Sequence, residues 1–430
     1  MPWAVVCSLF PAFACGKAEP PKPRSAILVS LDTLRADHLG CYGYARETSP
    51  HIDALAGEGI LFEHAIAQAT STLPSHRSLF QSRPASRIRS RGLTLAQTLS
   101  RRGLKTAAFT GGGNVAGKLG LGAGFDVYGE YPEGLSAAYP EMERWLRRNG
   151  GAPFFLFLHT YDVHLPYDPP PPFDTLYYPE YPGSVTGRGT RDLLRKIRRL
   201  PSKAGESLVS DEDREKIVAL YDGGIRYTDE FIGRLRGLLH ELGLEDDTVV
   251  VLLSDHGEEL WDHGSVIHAH ALYEEQVRVP LIWRLPESEF PGRRVSATVR
   301  LLDVAPTLLD LLGVEAPEDF LGESLLPVLR GSETPALSAL SEIRLLKSWT
   351  SFPWKLHTDQ RSGRARLFHL ERDPEERTDV SDDNPEVVSA LRSQMRAYLE
   401  GRTSTDVPEI EPGIEDEELL KQLRALGYVP

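Results

Sequence analysis

Residues 248–270 hold the densest group of side chains able to bind a metal ion. The apolar run TVVVLLS leads directly to Asp255 and His256, and further acidic residues and histidines follow as far as His268 and His270. Carboxylate oxygens and imidazole nitrogens are common ligands of divalent cations. We predict that Asp255 and His256 bind a metal; the alternative for an isolated Asp-His pair is a hydrogen-bonded loop.

Two other apolar segments also end at potential ligands. The run SAILVSL is followed by Asp32, and FFLFL is followed by His159, Asp162 and His164. Asp32 could instead cap the next helix, and we interpret His159 as a hydrogen-bonded core residue. His164 lies in a proline-bounded loop, and an imidazole there can bind an anion or a metal.

The segment TSTLPSHRSL places Thr72 just before a proline that suits the first turn of a helix. The start of a helix presents free N–H groups and attracts anions. A threonine hydroxyl there becomes a nucleophile only if its pKa is lowered, and a divalent cation does this by direct coordination. Thr72 therefore requires Asp32, Asp255 and His256 nearby; without them it is an ordinary helix cap.

Strand-like and helix-like segments alternate along the chain, which predicts an α/β fold with a mostly parallel sheet covered on both faces. Asp32, His159 and Asp255 each follow or end an apolar run. Because ligands bind at the carboxyl ends of parallel strands, we expect these residues to converge. The clearest predicted helix runs from Ser210 to Leu242, where apolar residues keep a helical spacing.

We divide the chain into four parts on the basis of composition. Residues 1–23 resemble a signal peptide with a lipoprotein tether, in which Cys15 would carry the lipid. Residues 24–345 form the catalytic domain, and 346–400 form a small C-terminal α+β subdomain with a hairpin around RSG. Residues 401–430 form a tail with a short helix. Within the catalytic domain, residues 168–206 are predicted to be an irregular surface insertion that, with the subdomain, shapes the substrate pocket.

Charge and cysteine content restrict the possible partners. The formal net charge of -14 argues against non-specific binding to nucleic acids or anionic membranes. If Cys7 and Cys15 belong to the exported leader, Cys41 is the one cysteine left and cannot form an intramolecular disulfide. We therefore expect an exported protein, periplasmic or on the cell surface, that contacts the membrane only through its N-terminal lipid.

The order of motifs resembles the sulfatase family, within the alkaline-phosphatase superfamily. The shared motifs are LVSLDTLRADHLGCYGY, TLPSHRSL, HTYDVHLPYDPP, LLSDHGEELWDHG, HALYEEQVRVPLIW, DVAPTLLDLLGV and LFHLERDPEERTDV. The resemblance implies an alkaline-phosphatase-like α/β sandwich with a small C-terminal α+β subdomain.

The resemblance also implies roles for individual residues. Metal ligands would be Asp32, Asp255 and His256, with Thr72 as nucleophile. His164 and His268 would bind the substrate anion. Lys118 would bind it as well, although the sequence around Lys118 matches the family motif only weakly. A second metal, as in two-metal members of the superfamily, would use Asp162, His164 and His268.

The departures from the family pattern concern the chemistry. Sulfatases oxidise a cysteine or serine to formylglycine, whereas this chain has Thr72, so no formylglycine is expected. The usual arginine of that motif is His76, and the second aspartate of an Asp-Asp pair is Thr33. Threonine is the nucleophile of phosphodiesterases and phosphotransferases in the superfamily, which favours phosphoesters, while the full set of motifs favours sulfuric esters.

We therefore predict a metal-dependent hydrolase of an anionic sulfuric or phosphoric ester, using calcium, manganese or zinc and a threonine nucleophile. The alternative within enzymes is a phosphodiesterase or phosphotransferase. The alternative outside enzymes is a lipoprotein that binds an anionic glycan or lipid without turnover.

Overall fold

The computed structural model describes residues 23–400, except 90–91, 201–204, 206, 287–289 and 333–336, together with residue 421. The predicted tether with Cys15 and the helix predicted within residues 401–430 lie outside the described residues. Of these two segments, the structure describes Pro23 and Lys421. No helix within the described part has both the length and the apolar composition that crossing a bilayer requires.

An eight-stranded sheet forms the centre of the molecule, in the order β10-β2-β9-β6-β1-β5-β3-β4. The strands are β1 (Ser25–Leu31), β2 (Ile60–Ile66), β3 (Lys105–Thr110), β4 (Val127–Glu130), β5 (Phe154–Thr160), β6 (Thr248–Leu253), β9 (Arg278–Arg284) and β10 (Arg293–Arg300). Strand β9 pairs antiparallel with both β2 and β6, and all other pairs are parallel. The predicted mostly parallel sheet is confirmed. A separate short ribbon pairs β7 (Glu259–Leu260) with β8 (Val266–Ile267).

Helices cover both faces of this sheet. They are α1 (Pro50–Glu58), α2 (Thr72–Gln81), α3 (Leu95–Arg101), α4 (Leu135–Asn149), α5 (Thr190–Arg199), α6 (Asp211–Glu241), α7 (Glu274–Val277), α8 (Val304–Leu311), α9 (Leu326–Leu329) and α10 (Pro385–Glu400). Successive β1 side chains enter opposite cores: Ile27 packs in the core that includes α1, α4 and α6, and Leu28 in the core that includes α2, α3 and α8. This sandwich explains why β1 carries apolar residues on both of its faces rather than only at alternate positions.

A four-stranded antiparallel sheet forms the small C-terminal subdomain, where α10 packs against it. Its strands are β11 (Ala339–Ile343), β12 (Leu346–Ser351), β13 (Trp354–Asp359) and β14 (Ala365–His369). The hairpin predicted around RSG is β13–β14. Strand β11 precedes the boundary predicted after residue 345, yet it belongs to the small subdomain, since it pairs with β12 rather than with the large sheet.

The insertion predicted to be irregular contains helix α5, so that prediction was wrong for residues 190–199. Seven of the ten positions in this helix are polar or charged, which hides its short apolar edge. Leu194 and Ile197 are buried along that edge, and the helix packs against β8. Tertiary packing of two side chains, rather than an obvious hydrophobic stripe, stabilises the helix.

Candidate active site

Three adjacent strands, β6, β1 and β5, bring three separate sequence segments to one edge of the sheet. Ser30 of β1 pairs with His159 of β5 on one side and with Leu253 of β6 on the other. Asp32 and Asp255 therefore follow neighbouring strands at the same level as His159. The convergence predicted for these three residues is what the structure shows.

Thr72 is the first residue of α2 and is completely buried. Ser71, not Thr72, occupies the capping position, and its side chain makes no capping hydrogen bond. The Thr72 Oγ1 atom lies 3.4 Å from Nε2 of His256 and hydrogen bonds with the Asp32 carboxylate. The hydroxyl thus belongs to the Asp32–Asp255–His256 group, and the interpretation of Thr72 as a helix cap is wrong.

Asp32, Asp255 and His256 place one ligand atom each within 4.8 Å of one another, and all three residues are buried. The Asp32 Oδ1 and Asp255 Oδ2 atoms are buried and accept no hydrogen bond. Buried carboxylate oxygens without partners are costly, and a cation between them satisfies both. The donor set, two carboxylates and one imidazole, therefore fits a divalent metal ion.

The electrostatics of the two carboxylates lead to the same conclusion. Burial, and then the charge of Asp255, hold the pKa of Asp32 well above its ordinary value. Burial also acts to raise the pKa of Asp255, but His256 and His76 outweigh it, and that pKa is lowered. One of two closely placed, buried acids is thus pushed toward its neutral form, a conflict that a divalent cation removes.

Backbone contacts fix the orientation of the His256 ring. Its Nδ1 lies 2.9 Å from the Gly257 carbonyl oxygen, which can accept a hydrogen bond only from a protonated Nδ1. In the neutral ring, Nε2 is then an acceptor, and it lies 3.3 Å from Asp255 Oδ2. Two acceptors at this distance repel each other unless a cation or a proton lies between them, so His256 is oriented as a metal ligand.

Two further histidines contact this group, and for one of them, His76, the sequence indicated no site role. His159 is buried and hydrogen-bonded as predicted, and its Nε2 lies 3.1 Å from Asp32 Oδ2, so this core histidine also contacts the site. His76 Nδ1 lies 3.5 Å from Asp255 Oδ2 and 2.9 Å from the Thr72 carbonyl oxygen. Burial lowers the pKa of each ring to about 4, so both are neutral at physiological pH.

His164 and His268 form a second pair of rings beside the metal group. Their ring centres are 5.1 Å apart, and that of His268 is 4.5 Å from His256. The Nδ1 atom of His164 lies 2.7 Å from the Leu165 carbonyl oxygen, and Nδ1 of His268 lies 2.9 Å from Glu258 Oε1. Both imidazoles therefore present Nε2 as the remaining acceptor when neutral.

Glu258 is a further site residue for which the sequence offered no role. It is fully buried and accepts a hydrogen bond from the Tyr167 hydroxyl at 2.8 Å as well as contacting His268. Burial lowers the pKa of His164 to about 3 and that of His268 well below its ordinary value. The sequence signal for Glu258 was its position two residues after His256. That position does not determine which residues its carboxylate contacts, because those contacts depend on the fold.

The structure does not bring Asp162 to the predicted second metal site. Its carboxylate accepts hydrogen bonds from the Leu135 amide at 2.8 Å and the Thr160 hydroxyl at 2.6 Å, so it caps the start of α4. Among the described residues, the metal-like group contains Asp32, Asp255 and His256 alone. Lys118 lies in a short turn, Gly117–Leu119, and is exposed, unlike the buried site histidines.

A cavity of about 350 Å³ lies between residues 270–272, which follow His268, and the small subdomain. His270 and Ala271 line one wall, and Lys347, Arg364 and Arg366 come from the small sheet together with Asp359. The Thr70 hydroxyl donates to the Ala271 carbonyl oxygen at 3.2 Å, which connects the cavity wall to the segment that precedes Thr72.

The family model described as Sulfatase matches residues 24–314. One curated relative is the Arylsulfatase K of Xenopus laevis, which is 28% identical over 242 residues; the match spans 52% of this chain and 41% of that protein. The chain thus covers less than half the length of this relative.

Solved structures resemble nearly the whole chain. A phosphonate monoester hydrolase of Agrobacterium radiobacter superposes with a TM-score of 0.73 at 21% identity, covering 89% of this chain and 96% of that one. A protein solved in complex with its substrate D-glucosamine-2-N,6-O-disulfate superposes with a TM-score of 0.75 at 21% identity, covering 91% of this chain and 100% of that one. At this identity the likeness shows a shared fold.

Proposed function

This chain belongs to the sulfatase family, and we propose that it is a metal-dependent hydrolase of anionic esters in which Thr72 is the nucleophile. The observation that carries the proposal is the position of the Thr72 hydroxyl. It lies 3.4 Å from His256 Nε2 and hydrogen bonds with Asp32, rather than capping its own helix. A buried hydroxyl held among potential metal ligands is arranged for attack.

Asp32, Asp255 and His256 would hold the divalent cation, which is calcium, manganese or zinc. When bound, such a cation lowers the pKa of a neighbouring hydroxyl and offsets the negative charge of the ester. The unpaired oxygens of Asp32 and Asp255 supply the negative charge that retains it.

In the first half of the reaction, Thr72 Oγ1 attacks the sulfur or phosphorus of the ester. The bond from that atom to the alcohol oxygen breaks, and the threonine now carries the sulfate or phosphate group. His268 Nε2 accepts the hydroxyl proton and releases it to solvent, while the departing alkoxide, on the opposite side of the sulfur or phosphorus, takes a proton from water and leaves as an alcohol. Glu258, 2.9 Å from Nδ1 of His268, stabilises the ring while it carries both protons.

In the second half, water attacks the same sulfur or phosphorus atom. The bond to Thr72 Oγ1 breaks, the oxygen regains a proton, and inorganic sulfate or phosphate leaves. His164 faces His268 with ring centres 5.1 Å apart and would bind a non-bridging oxygen of the transferred group. A threonine ester has no aldehyde into which to collapse, so this mechanism uses hydrolysis throughout and no formylglycine.

Sulfuric esters are the first candidate substrate because of the family. Phosphoric esters are the second candidate, because a phospho-threonine is easier to hydrolyse than a sulfo-threonine when cations and donors stabilise in-line attack. The capping role of Asp162 favours a single cation, since it removes one of the three ligands expected for a second. We assign the cavity lined by Lys347, Arg364 and Arg366 to the organic part of the substrate.

The test is a panel of aryl sulfate, aryl phosphate and bis-aryl phosphodiester substrates, each assayed with calcium, manganese and zinc. We expect a monoester to be hydrolysed in a cation-dependent reaction that Asp255→Asn abolishes. Preference for the diester would favour a phosphodiesterase, and turnover unaffected by chelation or by Asp255→Asn would contradict the proposal. An absence of turnover with every ester, combined with tight anion binding, would favour the non-catalytic alternative.

A further inference from the structure

Helix α5 carries three arginines on one side. Arg191, Arg195 and Arg198 are spaced by four and three residues, so their side chains project from the same face. At about 1.5 Å of rise per residue they extend over roughly 10 Å. Each is partly buried, whereas Lys196 and Arg199, elsewhere on the helix, are exposed.

These three guanidinium groups are not used to stabilise the fold through ion pairs. Within the described residues, none of them lies within 4 Å of a carboxylate, whereas the partly buried Arg226, for example, pairs with Glu230. The Nε of Arg191 and an Nη of Arg195 are buried and have no hydrogen-bond partner. Buried donors without partners are costly unless a ligand satisfies them.

The helix is attached directly to the site. Arg198 Nη1 donates to the backbone carbonyl oxygen of His268 at 2.9 Å. At the other end of α5, Thr190 Oγ1 accepts a hydrogen bond from the Tyr167 amide at 3.0 Å, and the Tyr167 hydroxyl donates to Glu258. Glu258 in turn contacts His268. The arginine face therefore begins at His268 and leads away from it.

Positive charges on and beside this face repel one another, although Glu258 and Glu259 offset part of the repulsion at Arg198 and Asp192 does so at Arg191. Arg344, in the turn between β11 and β12, comes from the small subdomain, and burial together with the charge of Arg344 lowers the pKa of Arg198. Burial and the charge of Arg195 likewise lower the pKa of Arg191. In a chain with a net charge of -14, a face on which cations repel one another has no evident structural benefit.

We propose that the Arg191–Arg195–Arg198 face is a second anion-binding site, which binds further sulfate, carboxylate or phosphate groups of the substrate that reacts at Thr72. The substrate class is a polyanionic ester with charges spaced several ångströms apart, such as an oligosaccharide bearing several sulfates. This inference rests on the proposed hydrolysis at Thr72.

An anionic membrane surface is the competing occupant of a basic helix. It is disfavoured because the arginine face is half-buried beside His268, whereas a membrane would meet the exposed side that carries Lys196 and Arg199.

The test measures binding by calorimetry, using full-length Thr72→Ala protein loaded with manganese so that the probes are not consumed. The probes are a trisulfated heparin disaccharide and glucosamine 6-sulfate, which carries a single anionic group. We expect the double variant Arg191→Gln/Arg195→Gln to weaken binding of the disaccharide by about tenfold or more and binding of glucosamine 6-sulfate several times less. The control Lys196→Gln/Arg199→Gln removes the same charge from exposed positions and is expected to change both affinities less than about twofold.

The proposal would be overturned if Arg191→Gln/Arg195→Gln lost affinity equally for the two probes. It would also be overturned if the control variant lost as much affinity for the disaccharide as Arg191→Gln/Arg195→Gln does. A selective loss of binding to phosphatidylglycerol vesicles with unchanged disaccharide binding would overturn it too. If the glutamine variant does not fold, Arg191→Lys/Arg195→Lys is used instead, because it keeps both charges. This lysine variant should retain the preference for the disaccharide. Loss of that preference in the folded lysine variant would count against the site. Because binding is measured without turnover, the result does not depend on whether Thr72 is the nucleophile.

Discussion

The Oγ1 atom of Thr72 and the Nε2 atom of His256 lie 3.4 Å apart, although 184 residues separate them along the chain. The first belongs to the start of α2 and the second follows β6. Burying either of these polar groups completely would cost free energy unless the two interact. This contact is the basis of the proposed chemistry.

Cation binding should stabilise the folded protein through Asp32 and Asp255. At a metal concentration of about 100 times Kd, the expected stabilisation is about 2.7 kcal/mol, or a rise in Tm of roughly 3 °C for a chain of this length. Asp255→Asn should abolish this rise. Without metal, the same substitution is expected to lower Tm slightly, because His256 and His76 favour the charged form of Asp255.

Asp162→Asn is the matched control for the cation experiment. Because an asparagine can cap α4 as Asp162 does, the substitution should change Tm little and leave the metal-induced rise intact. The measurement is differential scanning calorimetry with and without manganese. A rise that disappears equally in Asp162→Asn and Asp255→Asn would contradict the assignment of ligands.

Glu258 is expected to act as a positioning residue for His268. Glu258→Gln should lower kcat by about tenfold to a hundredfold, in the range observed for residues that orient catalytic or metal-binding groups. It should also move the acidic limb of the pH profile to lower pH, because loss of the negative charge disfavours the imidazolium form of His268.

Tyr167→Phe is the control for Glu258. It removes the hydrogen bond to Glu258 Oε2 but leaves the contact between Oε1 and His268 intact. Its effect on kcat should therefore be smaller, with little movement of the pH profile. If the two variants lose activity equally and neither shifts the pH profile, the role of Glu258 is structural.

The small subdomain should lose stability in acid through Glu376. Burial acts to raise the pKa of this carboxyl, but Lys355 and His357 outweigh it and lower the pKa from 4.5 to about 2. A lowered folded-state pKa contributes stability above the unfolded value that is lost as pH falls. The expected loss is at most about 3 kcal/mol between about pH 4.5 and 2.

Urea unfolding between pH 2 and 6 checks this expectation. Glu376→Gln should remove most of the pH dependence in that window, whereas Glu371→Gln, at an exposed carboxylate that follows the same sheet, should leave it unchanged. An unchanged slope in Glu376→Gln would show that other groups determine the acid sensitivity.

Local sequence signals predicted the elements that position the site. Apolar runs identified β1, β5 and β6, and helical spacing identified α6. Asp32, Asp255, His256 and Thr72 converge as expected, because the ends of parallel strands share one edge of a sheet.

What the sequence could not provide was the partner of each side chain. His159 was expected near Asp32, but the contact between its ring and the Asp32 carboxylate, like that between His76 and Asp255, depends on the folded structure. Asp162 was assigned to it, yet its carboxylate caps α4, since the path of the chain after β5 turns it toward Leu135. Helix α5 was missed because only a short apolar edge stabilises it.

The most direct test of the central claim is the turnover of the preferred monoester by Thr72→Ala. The account predicts that kcat/KM falls by at least about 10³-fold, with metal binding and Tm close to those of the unmodified protein. Ser71→Ala, which removes a neighbouring hydroxyl that makes no capping bond, should stay within about threefold. Turnover by Thr72→Ala within tenfold of the unmodified protein would contradict the account, since the hydroxyl beside His256 would then not be the nucleophile.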